Sequence, residues 1–99
     1  MSEPLAAMVL PAGLVLERTT PAFTATTVPA GLLRAHRVGP GVWGTLVVES
    51  GTVVFVMEAT GARRPVGAGE RQVIPPEAEH HVEPSADAVF SVEFHRPSA

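Results

Sequence analysis

Residues Trp43–Glu58 read WGTLVVESGTVVFVME, two β-branched runs parted by Ser50-Gly51. Valine and threonine are stiff about χ1 and pack well on a pleated surface. A Ser-Gly pair between two such runs is a turn signal. The stretch therefore predicts a strand over Trp43–Glu49, a tight hairpin turn, and a second strand over Thr52–Glu58. Val53-Val54-Phe55-Val56-Met57 is apolar at every position. Both faces of that strand must be covered, either by residues 1–27 or by a second copy of the chain. A homodimer is expected on the second count.

The flanking sequence follows the same grammar. Ten prolines and nine glycines are spread through 99 residues, so no window offers the unbroken 3.6-residue apolar period of a helix. Val28-Pro29-Ala30 leads into a predicted strand over Gly31–Val38, and Gly39-Pro40-Gly41 turns the chain into Trp43. A Gly- and Arg-rich loop, Thr60–Gly69, precedes a strand at Gln72–Ile74. Pro75-Pro76 leads to His80–Glu83, and Ala88–His95 closes the sheet. In that last run Phe90, Val92 and Phe94 alternate with Ser91, Glu93 and His95, which gives one apolar face. Residues 1–27 read as an arm with strand fragments at Leu14–Glu17 and Ala22–Thr24, and residues 28–96 as the barrel. The class is all-β: one domain over 1–99, a small sandwich or barrel.

Composition narrows the partners. The formal net charge is −3 and no run of Lys or Arg occurs, so neither a nucleic-acid backbone nor an anionic membrane is an expected partner. Cysteine is absent, which removes disulfides, thiolate nucleophiles and Cys-ligated zinc. Met1–Leu16 is apolar but opens with Ser2, Glu3 and Pro4 and is broken at Pro11. It is too short to span a bilayer and lacks a basic start, so neither a signal peptide nor a membrane helix is expected, and the expected compartment is the cytoplasm.

The chemistry gathers in GERQVIPPEAEHHVEP, Gly69–Pro84, which holds two of the four histidines. Adjacent strand residues face opposite ways, so His80 and His81 cannot both point inward. Val82 shares parity with His80, whereas Glu79 and Glu83 share it with His81. His80 is therefore the inward residue and His81 the solvated one. An inward histidine is either a neutral core imidazole with satisfied hydrogen bonds or half of a metal site, the latter if a second imidazole meets it. His36 is the candidate partner. It shares parity with Leu32, Val38 and Arg34, and an Arg beside an inward His suits the mouth of a pocket for an anion. Trp43 between glycines reads as a core or rim plug rather than a stacking platform.

Gly69-x5-Pro75-x-Glu77-x2-His80-x3-Pro84 has the spacing of the second cupin motif, with Glu77 in place of its second Gly and Pro84 in place of its Asn. His36 and Gly51 resemble a degraded first motif, in which Val38 takes the second His position and Trp43 or Gly44 the Glu position. TVPAGLLRAHRVGPGVWGTLVVESG, PPEAEHHVEP and FSVEFHR together are similar to the TehB/YeaR-like domain family, linked by name to tellurite resistance, over Leu10 to Arg96. The resemblance implies a cupin-type double-stranded β-helix, a jelly-roll barrel. It puts His36 and His80 on the family's histidine positions and Glu77 and Glu93 on its acidic ones. His95 departs from the pattern, which has an aromatic there.

What the resemblance implies is a divalent metal (zinc, iron or nickel) on His36 and His80, with a carboxylate completing the face. Glu77, one turn before His80, is the candidate, against a plain reading as a turn residue in water. Arg34, Trp43 and Glu93 are candidate pocket residues, although the parity of Glu93 against Phe90, Val92 and Phe94 also fits a sheet charge in solvent. The expected function is a small binding or sensing module for a metal, an oxyanion or a small molecule, associated with stress or tellurite tolerance. The alternative is a metal-dependent cupin enzyme, dioxygenase- or isomerase-like.

Overall fold

The computed structural model describes residues 4–98. Met1–Glu3 of the expected arm and Ala99 of the expected 1–99 domain lie outside them. The strands in chain order are β1 (Leu14–Thr19), β2 (Phe23–Thr24), β3 (Trp43–Ser50), β4 (Thr52–Met57), β5 (Arg63–Gly67), β6 (Arg71–Ile74), β7 (His80–Pro84) and β8 (Val89–Pro97). Two short 3-10 turns, Leu5–Ala7 and Ala30–Leu33, are the helical pieces among the described residues. One sheet runs β1-β8-β3-β6 with β2 also on β8, and the other runs β5-β4-β7. Every pairing is antiparallel.

The alternation in β8 is what joins the sheets. Phe90 and Val92 are buried and Phe94 packs against them, so this face meets Leu46 and Val48 of β3 and Val53 and Phe55 of β4 in one core. The domain is all-β, built of two antiparallel sheets, and among the described residues neither closes on itself.

Three expectations are corrected. Ser50-Gly51 is not a hairpin turn, because β3 pairs with β6 and β8 while β4 pairs with β5 and β7. Gly51, at φ 68°, turns a corner from one sheet to the other. A tight turn between two β-branched runs looks the same in sequence whether the strands fold back on each other or change sheets. Gly31–Val38 is not a strand. Leu32 N–H closes on the Pro29 carbonyl (3.0 Å) and Val28 N–H on that of Thr24 (3.0 Å), which winds the segment locally. Its surviving extended contact is a single bridge at His36. Finally, Thr60–Gly69 is not all loop. It contains β5, an edge strand, where the missing N–H of Pro65 is tolerated.

The all-apolar strand is covered in part within the chain, with Val54 and Met57 half-buried. Val53 and Phe55 face the core. On the outer face, Val54 stands opposite Pro65 and Glu83, and Val56 opposite Arg63 and His81. Side chains from β5, β7 and the turn after β4 then join across it: Arg63 to Glu83, Glu83 to His81, and His81 to Glu58. Val56 is left only 5% exposed. The first 3-10 turn does a different job. Buried Gln72 of β6 donates to the Leu5 carbonyl (3.0 Å) and accepts from Arg64 of β5 (3.0 Å), which stitches the arm over the seam between the two sheets.

Candidate functional site

Pro75 and Pro76 restrict the approach to β7, and the backbone then passes through Glu77 at φ 60°. That left-handed conformation ordinarily favours glycine. Glu77 N–H is held by the Val38 carbonyl (2.8 Å), and its side chain is exposed. The turn delivers His80 to the first position of β7. His80 and His36 exchange both backbone hydrogen bonds, at 2.7 and 2.8 Å, and their rings meet edge to face with centroids 5.5 Å apart.

His80 is 2% exposed and stacked on Phe55, with centroids 5.2 Å apart. Its Nδ1–H donates to the Ala78 carbonyl (3.0 Å), which assigns the tautomer and leaves Nε2 as a bare acceptor. Among the described residues no buried side-chain nitrogen or oxygen lacks a partner. Nε2 has none, so it opens on the cavity that His80 lines. Burial pushes the His80 pKa below its ordinary value, and the ring is neutral near pH 7.

That cavity is a chamber of about 270 Å³ that runs from the core to the surface. Phe23, Leu32, Leu46, Val82, Phe90 and Val92 are among the apolar residues of its wall. Arg18, His36, Val38 and Phe94 line both the chamber and an adjoining polar vestibule that also holds Glu17, Arg37 and Arg96. Chamber and vestibule therefore share a mouth.

The structure brings two of the singled-out residues together and scatters the rest. Glu93 lies on the face opposite Phe94 and pairs with Arg71 (3.0 Å). Trp43 borders a separate hollow with Leu5, Met8 and Met57. Arg34 is exposed and follows the second 3-10 turn. Among the described residues no set of three His, Cys, Asp or Glu side chains gathers to hold a metal. Two imidazoles in a mostly apolar lining fall short of the donor set of a resident divalent ion, which takes three or four protein ligands. The mouth residue that sequence reasoning passed over is Arg18. Its position follows from an irregularity in β1 that no periodicity reveals.

The family model for the TehB-like domain matches residues 18–92. The chain belongs to the TehB-like domain family. Among solved structures, a protein from E. coli strain K12 superposes on this TehB-like domain with a TM-score of 0.86 at 27% identity, over 93% of this chain and 99% of that one. TehB from Haemophilus influenzae gives a TM-score of 0.79 at 24% identity, over 87% of this chain and 32% of that one. At that identity the likeness to TehB is one of fold, and it spans about a third of the TehB chain. Comparison with curated proteins gives no match. No helix among the described residues is long and apolar enough to cross a membrane.

The adjacent histidines of the TehB-like domain titrate in opposite senses. Both ring nitrogens of His81 meet carboxylates: Nε2 meets Glu83 at 2.7 Å, and Nδ1 meets Glu58. Only the imidazolium donates to both, so Glu83 first and Glu58 second raise the His81 pKa. That stabilisation is present below the ordinary value of 6.5 and is lost as pH rises through the raised folded value. His80 is the reverse. Its folded pKa lies below 6.5, so the unfolded chain binds a proton first and stability falls as pH drops below 6.5. Stability is therefore expected to peak near pH 6.5. Urea midpoints from about pH 5 to 9 should fall on both sides, with His81→Gln flattening the alkaline limb alone. A monotonic rise across that range would contradict this assignment.

Proposed function

We propose that this TehB-like domain is a binding module that takes one small, largely apolar molecule into its chamber, with His80 Nε2 accepting a hydrogen bond from it. The reading is carried by one observation: a buried, neutral, tautomer-fixed imidazole with an unpartnered acceptor in the lining of a mostly apolar hollow. Pockets of this make-up, mostly apolar with a few placed polar atoms, are the usual form of small-molecule sites. The chamber lining offers imidazoles and a threonine hydroxyl but no carboxylate, which favours holding a ligand over turning it over. The frame behind it we read as a jelly roll. What supports this is the order β1-β8-β3-β6 beside β5-β4-β7, with His36 bridged outside β7 as the remnant of the strand that would complete the second sheet.

Protein-observed NMR with a fragment library tests the binding reading. Shifts should cluster on His80, Val82 and Val92, and His80→Gln should weaken hydroxyl-bearing fragments about 5- to 10-fold, the worth of one hydrogen bond. A library that leaves those residues unmoved overturns it. So does stoichiometric zinc uptake that His36→Ala and His80→Ala each abolish, an outcome that would install the metal centre instead.

A further inference from the structure

Arg18 is where it is because of a bulge. In β1, Leu16 stands opposite His95 and Arg18 opposite Phe94, with the register slipping between them. Without the slip, Leu16 and Arg18 would share a face. With it, Leu16 stays with outward His95 while Arg18 joins inward Phe94, its guanidinium carbon 4.7 Å from the centre of that ring. Bulges recur at sheet edges and beside functional sites because they re-aim a side chain in this way.

The charge so placed is unspent. At the vestibule, Arg96 pairs with Glu17 and Arg37 with Glu79, whereas Arg18 has no ion-pair partner among the described residues. It lines the shared mouth together with His36, and His36 and His80 are the imidazoles of the chamber lining. Arg18 is itself exposed, and an accessible cation at the rim of an apolar hollow selects a molecule with a charged end and an oily body.

We infer that the ligand is a small organic anion, a carboxylate on an apolar body, with its carboxylate on Arg18 and its body in the chamber. The inference rests on the binding reading above and deepens it. Size follows from volume. At about 270 Å³ the chamber lies just below the roughly 300–1,000 Å³ of drug-sized pockets, so the molecule is small. Aromatic monoacids and short-chain acids are of that size. A planar, five-donor guanidinium matches the two carboxylate oxygens in a way that an ammonium does not.

The probes are benzoate and benzamide, nearly equal in shape and differing in charge, titrated by NMR at pH 7 and low ionic strength. Benzoate is expected to bind about 10-fold tighter than benzamide, and salt should erode the difference. Arg18→Met keeps the stem over Phe94 and removes the charge. It should bring the ratio to about 1 while leaving benzamide affinity within about two-fold, and Arg18→Lys should retain part of the preference. If wild-type protein binds the two probes equally, or prefers the amide, the anion inference falls and the chamber reading stands. The inference also falls if Arg18→Met keeps the full preference for benzoate. If neither probe binds wild-type protein, both are withdrawn.

Discussion

Phe90→Ala is expected to lower the free energy of unfolding by about 3–5 kcal/mol, enough to leave a domain of this size barely folded. Phe90 is fully buried and meets Phe23 edge to face, with centroids 5.9 Å apart. Truncation removes that aromatic pair and the apolar transfer energy of a whole ring. The hole cannot be refilled cheaply. Phe90 is paired to Phe23 on one side and Val48 on the other, so the backbone around it is fixed by two ladders. It also lines the chamber, so the void joins an existing hollow rather than collapsing. Urea denaturation measures the loss as a lower midpoint at an unchanged slope. A cost below about 1.5 kcal/mol would mean that the sheets slide to fill the gap, contrary to the packing described.

Phe90 also marks what the sequence makes legible. The alternation from Phe90 to Phe94 identified β8 and its inward face, and Val82 beside His80 identified the direction of that histidine, because strand parity needs only local residues. Arg63-Arg64-Pro65 hid β5: its strand pattern is that of an edge, where charge and proline replace the apolar signal. The corner at Gly51 was hidden because partner choice depends on residues far along the chain. In the site the same division holds. His36 meets His80 although the strand expected to carry it is absent, since its backbone bridge to His80 survives the local winding of Ala30–Leu33. Arg18 was illegible, because a bulge breaks the parity that would have placed it. Glu77 looked near enough to His80 to join it, but its left-handed backbone leaves the side chain exposed.

Gly51→Ala is expected to destabilise the domain by about 2–4 kcal/mol, well beyond the ordinary cost of a left-handed alanine. Its φ of 68° alone accounts for roughly 1–2 kcal/mol. The remainder is contact. A Cβ at Gly51 would sit 2.7 Å from Ala88 Cα, 2.8 Å from Ala88 N and 2.8 Å from Ser85 Oγ. Two of these are backbone atoms that no rotamer change moves. The turn beneath is also tied down: Ser85 N–H donates to the Thr52 carbonyl (2.8 Å), Ser85 Oγ accepts from Thr52 N–H (3.0 Å), and Ser85 Oγ donates to Asp87 (2.7 Å). To admit the methyl, the corner must lift off this turn, which loosens the point where β3 hands over to β4. Gly61 supplies the control, since it has a similar φ of 72° and nothing within 4 Å of its virtual Cβ. Gly61→Ala should therefore show the conformational cost alone, about 1–2 kcal/mol. Equal losses at the two positions, measured by urea denaturation, would show that the corner is not packed against Ala88 as described.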